Sequence, residues 1–262
     1  MRLSRQLQKP QGSELEFTAF DRLLQSDPQP LLVGGQAVNL WAEVFLQNSP
    51  ELERLQPFLS RDCDLFGNQD LLVRLARDTH WKAAFSPGGQ ASPVVGYLVH
   101  TAADGRNLLA EVLHSVKGLA PADLQKEVLV ELGNKRYKTL SPIALLKAKL
   151  ANIIELPQEG PGQERNDLKH VRILLLCVSA YLGQALQRVE CGTSTERSFL
   201  NLLEETLRIA RSDYATRVAR SEGLNFAGCF PDSLGTSRLS KVQNFVRNRL
   251  NSRGATRSGG RC

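Results

Sequence analysis

The stretch Leu31-Leu-Val-Gly-Gly-Gln-Ala-Val-Asn-Leu40 joins a short apolar run to two glycines and then to a helical apolar pattern. It predicts a buried strand that ends at Gly34 and Gly35, followed by a helix from Ala37 to Leu46. Glycines let the backbone approach a ligand closely, and the free N–H groups at a helix start favour an anion such as phosphate. The stretch also fits an ordinary strand-to-helix turn, because it matches neither the dinucleotide-binding nor the P-loop motif.

A second strand is predicted from Arg61 to Phe66, and it carries two acids, Asp62 and Asp64. Residues i and i+2 of a strand point to the same side, so these residues are expected about 6–7 Å apart along the strand. Two such carboxylates can bind a hard divalent cation. The chain holds three acid-x-acid triplets, about as many as chance gives, but only this one lies in an apparent strand between apolar residues. An unpaired charge is costly in that setting.

A third acid, Glu111, interrupts the apolar run from Asn107 to Ser115, which is predicted to form a hairpin with the strand from Pro93 to His100. An acid in such a strand either faces solvent or meets a charge or a metal ion. Another hairpin is predicted between residues 128 and 139. Helices are predicted over 13–25 and 69–77.

The order of these features resembles the nucleotidyltransferase superfamily, the polymerase-beta-like fold, and above all its minimal bacterial members, which include abortive-infection toxins. The resemblance is carried by Gly34-Gly35, Arg61-Asp-Cys-Asp-Leu-Phe66 and Ala110-Glu-Val-Leu113. It implies an α+β fold, a mixed β-sheet with flanking helices followed by a helical domain. In this family an acid trio holds two magnesium ions, and a nucleotidyl group passes to a hydroxyl or phosphate acceptor with release of pyrophosphate. The roles that the resemblance implies are catalysis and metal binding for Asp62, Asp64 and Glu111, and nucleotide binding for Gly34, Gly35 and Gln36.

The second half of the chain reads almost entirely as helix from Ser141-Pro142 to about Leu250, since serine can cap a helix and proline suits its first position. Leu145-Leu-Lys-Ala-Lys-Leu-Ala151 resembles the family's helix whose lysine contacts the nucleotide phosphates, with Lys149 the better match and Lys147 the other choice. Arg165-Asn-Asp-Leu-Lys-His170 resembles the segment that braces this helix, although His170 stands where the family has an acid. Both segments also fit ordinary solvated helix faces.

We therefore predict a nucleotidyltransferase domain over residues 1–140, opening with a loose arm over 1–12. A helical domain is predicted over 141–250, with a Pro/Gly-rich break at 157–162. A disordered basic tail is predicted over 251–262, because its Ser/Gly/Arg composition cannot bury enough apolar surface to fold alone.

Composition excludes several classes of protein. The 262-residue chain is 42% hydrophobic and 23% charged, as in globular proteins. Its five cysteines form no C-x-x-C and its four histidines no H-E-x-x-H, which disfavours a disulfide framework, a zinc ribbon and a zinc hydrolase. The sequence has neither a transmembrane run of about 20 apolar residues nor a secretory signal, so we expect a cytoplasmic protein.

The net charge is +6, and the basic excess lies late in the chain: from Arg208 onward there are 11 Lys/Arg and 3 Asp/Glu. An RNA partner is one explanation, and a solvated tail is the other. The leading hypothesis is a Mg²⁺-dependent nucleotidyltransferase that uses a nucleoside triphosphate and an unknown acceptor, an RNA or protein hydroxyl. The alternatives are a catalytically silent nucleotide- or RNA-binding module on the same fold, and an unrelated α/β protein whose acids are accidental.

Overall fold

The computed structural model describes residues 11–86, 92–158 and 165–250. The chain divides into two compact units, with the first ending at Leu174 and the second beginning at Leu175. The helix that starts at Pro142, which we assigned to the helical domain, therefore belongs to the first unit. The arm predicted over 1–12, apart from its last two residues, and the basic tail over 251–262 lie outside the described residues, as do residues 159–162 of the predicted break.

The first unit is built on a mixed sheet, which has seven strands in the part of the chain that the structure describes. The order across the sheet is β3-β4-β5-β2-β1-β7-β6. The β2–β5 and β1–β7 pairs are parallel and the other neighbours are antiparallel. The strands are β1 (Leu31–Val33), β2 (Cys63–Phe66), β3 (Lys82–Phe85), β4 (Val94–Thr101), β5 (Asn107–Leu113), β6 (Glu127–Leu132) and β7 (Lys135–Leu140).

Helices cover this sheet and supply its hydrophobic core. They are α1 (Asp21–Leu24), α2 (Gly34–Leu46), α3 (Pro50–Glu53), α4 (Gln69–Thr79), α5 (Pro121–Leu124), α6 (Pro142–Glu155) and the first residues of α7 (Asp167–Glu190), with a 3-10 turn at Phe17–Phe20. All three residues of β1 are buried, as are nine of the thirteen residues of α2. β1 and the helix that opens with the glycine pair thus lie largely inside the unit. Large side chains buried around them include Phe20, Leu32, Leu40, Phe45 and Leu65.

The start of α6 follows from local chemistry, as the sequence predicts. The Ser141 hydroxyl accepts a hydrogen bond from the Ala144 N–H, and Pro142 occupies the first turn, where its missing N–H costs nothing. The Trp41 indole N–H donates to the Leu140 carbonyl at 2.8 Å, which ties α2 to the end of β7.

The described part of the second unit is helical. After the remainder of α7 it contains α8 (Glu196–Ala210), α9 (Asp213–Glu222), α10 (Ser233–Thr236) and α11 (Ser240–Phe245), with a 3-10 turn at Phe226–Cys229 and a π-helical turn at Val246–Leu250. Thr195 and Ser212 cap α8 and α9 through their hydroxyls. Phe199, Leu203 and Val218 are buried within this unit.

Several elements differ from the sequence prediction: α2 begins at Gly34 and not at Ala37, and the short helices α3 and α5 were not predicted. β3 was not predicted, because it is an edge strand with largely exposed residues and carries no alternation of apolar and polar side chains. The helix predicted over 13–25 is only partly formed: Leu15 pairs with Ser60 in an isolated β-bridge, and helical geometry starts at Phe17. Phe17, Phe20, Leu23 and Leu24, all buried, gave the stretch its helical spacing, but tertiary pairing overrides the pattern at its start.

Within the described ranges, none of the helices combines the length and the hydropathy needed to cross a bilayer.

Candidate functional site

Three carboxylates meet at two neighbouring strands, two of them on β2 and β5 and the third on the residue just before β2. β2 and β5 pair in parallel with Asp64 directly opposite Glu111, and Asp62 lies two residues before Asp64. One ligand oxygen from each of the three acids lies within 4.8 Å of the others. The structure thus brings the three predicted acids together, and this group is one that could hold a metal ion.

The residue between the two aspartates points away from them, as the two-residue period of a strand requires. Cys63 is fully buried, while Asp62 and Asp64 are only half-buried. Burial raises the pKa of the Cys63 thiol, and the charges of Asp64 and Asp62 raise it further. Cys63 is therefore a neutral core residue, because the thiolate is disfavoured on every count.

The glycine pair lies directly beside the acids. β1 is antiparallel to β2 with Val33 opposite Asp64, so the chain leaves β1 next to that carboxylate. Gly34 has φ +68°, and a Cβ atom there would lie 1.8 Å from Asp64 Oδ2. Only glycine allows this backbone conformation together with so close an approach of the carboxylate.

Gly35 adjoins a second group of side chains. A Cβ atom at this position would lie 2.7 Å from Ser60 Oγ and 3.1 Å from His170 Cε1. The first residue of the Gly34-Gly35 turn therefore lies beside Asp64, and the second lies beside Ser60 and His170. The sequence did not single out Ser60, since a lone serine before a strand carries no signal of its own.

The Gln36 side chain is fully buried and bonded to protein groups. Its Nε2 donates to the Leu15 carbonyl at 2.9 Å, and its Oε1 accepts from Asn39 Nδ2 at 3.0 Å. The amide thus fixes the first turn of α2 against the N-terminal segment. Nucleotide binding by Gln36 stays a prediction, and it would depend on the backbone N–H of this residue.

A buried ion pair joins α6 to α7. Lys149 Nζ lies 2.8 Å from Asp167 Oδ1, with side-chain exposures of 8% and 3%, and Arg165 Nε lies 2.7 Å from the other oxygen of Asp167. Burial raises the pKa of Asp167, but the charge and hydrogen bond of Lys149 and the contact with Arg165 outweigh it and hold that pKa well below its usual range. Lys147, the other lysine of this segment, instead pairs with Asp123 at 2.7 Å.

His170 lies one turn after Asp167 on α7 and is 5% exposed. Its Nδ1 is buried and has no hydrogen-bond partner among the described residues. Burial and the charge of Lys149 lower the pKa of the ring well below its usual value, although Asp167 opposes this. His170 is therefore neutral at pH 7. The sequence marked this residue only as a departure from the family pattern.

No protein-family model matches the sequence, and no curated protein does. Among solved structures, the chain is similar to an antigenic nucleotidyltransferase-like protein from Paracoccidioides brasiliensis, with a TM-score of 0.40 and 16% identity over 62% of this chain and 78% of that one. A likeness at this level does not establish a family, so the candidate site stands on its own geometry.

Proposed function

We propose that the protein is a magnesium-dependent nucleotidyltransferase, which moves a nucleotidyl group from a nucleoside triphosphate to an acceptor hydroxyl. The observation that carries the proposal is the group of Asp62, Asp64 and Glu111, with ligand oxygens within 4.8 Å of one another. The close contact of Asp64 with Gly34 sets these acids beside the start of a 13-residue helix, where backbone N–H groups favour phosphate.

The donor set fits magnesium. All three side chains offer carboxylate oxygens, which hard cations prefer, whereas zinc sites are rich in histidine and cysteine. Three negative charges so close together also repel one another, and a divalent cation would offset that repulsion. Asp62, Asp64 and Glu111 are thus the residues that would hold the metal.

Bound there, magnesium would neutralise negative charge that develops on the α-phosphate and on the departing pyrophosphate. The N–H groups at the start of α2 bind the triphosphate, and Lys149 adds positive charge nearby. One of the three carboxylates takes the proton of the acceptor hydroxyl. The hydroxyl oxygen then bonds to the α-phosphorus as the bond to pyrophosphate breaks.

The acceptor in this proposal is an RNA or protein hydroxyl, in keeping with the resemblance to abortive-infection toxins. The second unit supports RNA, because it holds 13 Lys/Arg and 7 Asp/Glu and thus the whole net charge of the chain. The second candidate function is a catalytically silent nucleotide-binding module. All three metal-ligand positions are acidic in this chain, which favours the enzyme.

The test is transfer of label from each α-³²P nucleoside triphosphate, with magnesium, to a pool of RNA or of protein. Asp64→Asn removes one ligand, and Glu131→Gln, an exposed acid on β6, is the matched control for loss of one negative charge. We expect label in one pool with the unaltered protein and with Glu131→Gln. Asp64→Asn or a chelator should abolish it.

A thermal melt separates the two candidate functions. Binding to the native state alone raises the melting temperature, so magnesium with nucleotide should stabilise the unaltered protein and not Asp64→Asn. Stabilisation without transfer of label to either pool would favour the silent module. The absence of both responses would overturn both functions.

A further inference from the structure

A buried polar nitrogen at the glycine turn has no partner in the described protein. His170 is 5% exposed, and its Nδ1 makes no hydrogen bond to any described residue. Buried nitrogens in folded proteins are nearly always hydrogen-bonded, and an exception calls for a ligand or an ordered water as the missing partner. The ring can donate from Nδ1 in its neutral form, since either ring nitrogen can carry the single proton.

The position of the ring points to an anion as that partner. His170 Cε1, the ring carbon between Nδ1 and Nε2, lies 3.1 Å from the position that a Cβ atom would take at Gly35, in the first turn of α2. The charges that act on the ring are those of Lys149, Lys169 and Arg165 against the single acid Asp167, which leaves two net positive charges. An N–H donor, a helix start and a net cationic cluster are together the chemistry of a phosphate site.

We propose that His170 binds the triphosphate of the nucleotide by donating a hydrogen bond from Nδ1–H. The inference rests on the proposed function and adds a binding residue to the same site. The glycine turn then has metal-binding carboxylates next to Gly34 and a neutral hydrogen-bond donor next to Gly35. The ring complements Lys149, because it adds a directed hydrogen bond without a further charge.

Three substitutions separate hydrogen bonding from packing. His170→Phe keeps a ring of similar size without a nitrogen. His170→Asn keeps an amide group near the position of Nδ1, whereas His170→Gln carries its amide nearer to that of Nε2. A residue that only fills space would tolerate phenylalanine best, and a residue that donates from Nδ1 would tolerate asparagine best.

The experiment measures the dissociation constant of magnesium tripolyphosphate, a probe of the phosphate contacts alone, and that of the magnesium complex of each nucleoside triphosphate. We expect both ligands to bind about tenfold or more weakly to His170→Phe and His170→Gln, with near-normal binding to His170→Asn. Magnesium alone should bind all variants equally, because none of them alters the carboxylates.

The outcomes distinguish this inference from the proposed function. If the unaltered protein binds both ligands, Asp64→Asn does not, and His170→Phe binds as tightly as the unaltered protein, the role of His170 is overturned and the proposed function stands. If the unaltered protein binds neither ligand, both are overturned. Should His170→Phe fail to fold, equal affinities of the asparagine and glutamine variants would still contradict donation from Nδ1.

Discussion

A side chain at position 34 would meet two obstacles at once. The backbone there has φ +68°, an angle that residues with a side chain rarely adopt. A Cβ atom at this position would also lie 1.8 Å from Asp64 Oδ2 and 2.6 Å from Asp64 Cγ. The first obstacle affects stability, and the second affects the metal site, because Asp64 can only make room by moving. Gly34 therefore couples the backbone conformation of the turn to the geometry of the carboxylates.

Gly34→Ala should destroy the response to magnesium and nucleotide as well as lower the free energy of unfolding. The left-handed backbone alone costs about 1–2 kcal/mol for alanine. Gly133→Ala is the control, since Gly133 has φ +60° and no atom within 4 Å of its Cβ position. It should show the backbone cost alone and keep a normal rise in melting temperature with magnesium and nucleotide. A Gly34→Ala variant that keeps the full rise would contradict the placement of Asp64.

At the level of elements, the contact between α6 and α7 depends on a charge pair that water barely reaches. Removing one partner of such a pair is strongly destabilising, because the other charge stays buried. Arg165 contacts the other carboxylate oxygen of Asp167, but its side chain is 34% exposed. It cannot replace the hydrogen bond that Lys149 donates to Asp167 Oδ1.

Lys149→Met should lower the free energy of unfolding by about 3 kcal/mol. The matched change Lys147→Met breaks a pair of almost equal length, 2.7 Å, whose lysine is 27% exposed, and should cost less than about 1 kcal/mol. Urea unfolding of both variants at pH 7 measures the difference. If both variants lost the same free energy of unfolding, burial would not make the Lys149–Asp167 pair more important for stability than the more exposed pair.

The same elements predict how stability depends on pH. The pKa of His170 is lowered by folding, so below about pH 6.5 the unfolded chain takes up a proton that the folded chain resists. This contribution to stability is present above that pH and is lost as the pH falls towards the folded pKa, at up to about 1.4 kcal/mol per pH unit. His170→Gln should flatten the dependence between pH 7 and 5 in urea titrations. An unchanged slope would show that His170 does not set it.

Asp167 also makes the folded state less stable as the pH falls, but at a lower pH than His170 does. Its folded pKa lies well below the usual value of about 3.9, so its contribution is complete above that value and is lost as the pH falls through the folded pKa. The Asp167→Asn variant should lose stability at pH 7 and show a weaker further loss below pH 4. A further loss as steep as that of the unaltered protein would contradict this assignment.

The sequence predicted the elements that carry a burial pattern and missed those that do not. β1, β2 and β5 were predicted because each contains an apolar run. The acids that interrupt two of these runs indicated the candidate metal site. β3 pairs only at a sheet edge, and its residues are too exposed to leave a pattern.

Register was the part of the site that the sequence could not supply. Asp64 lies opposite Glu111 only because two strands distant in the chain pair in parallel, and no local signal encodes that pairing. The buried surroundings of His170 likewise come from the tertiary structure. The resemblance to a family supplied the grouping of the three acids, and the residue types alone did not.

On the scale of the whole molecule, the charge is divided unevenly between the two units. The first unit has 20 Lys/Arg and 20 Asp/Glu, whereas the second has 13 and 7. Three arginines of this excess, Arg253, Arg257 and Arg261, belong to the predicted basic tail. Such residues can follow a phosphate backbone and release its counterions.

Deletion of residues 252–262 should weaken RNA binding and reduce its dependence on salt, because three positive charges are lost. The melting temperature should stay nearly constant. Replacing Arg253, Arg257 and Arg261 by serine in the full-length chain is the control for length, and it should give the same loss. Equal RNA affinity of the truncated and full-length chains at both low and physiological salt would rule out recruitment by the tail.

The order of the strands along the chain also sets when the site can first exist during synthesis. β1 pairs in parallel with β7, so Leu32 can pair only after Thr139 has been synthesised. Lys149 likewise forms its ion pair only after Asp167 has been synthesised. At about 5–20 residues per second, a ribosome needs roughly 10–30 s to add the first 170 residues. A chain stalled between Glu111 and Lys149 would carry the three carboxylates without the cationic cluster. If the protein is the nucleotidyltransferase that we propose, transfer would begin only after the ribosome has passed His170 and would be delayed relative to the start of translation.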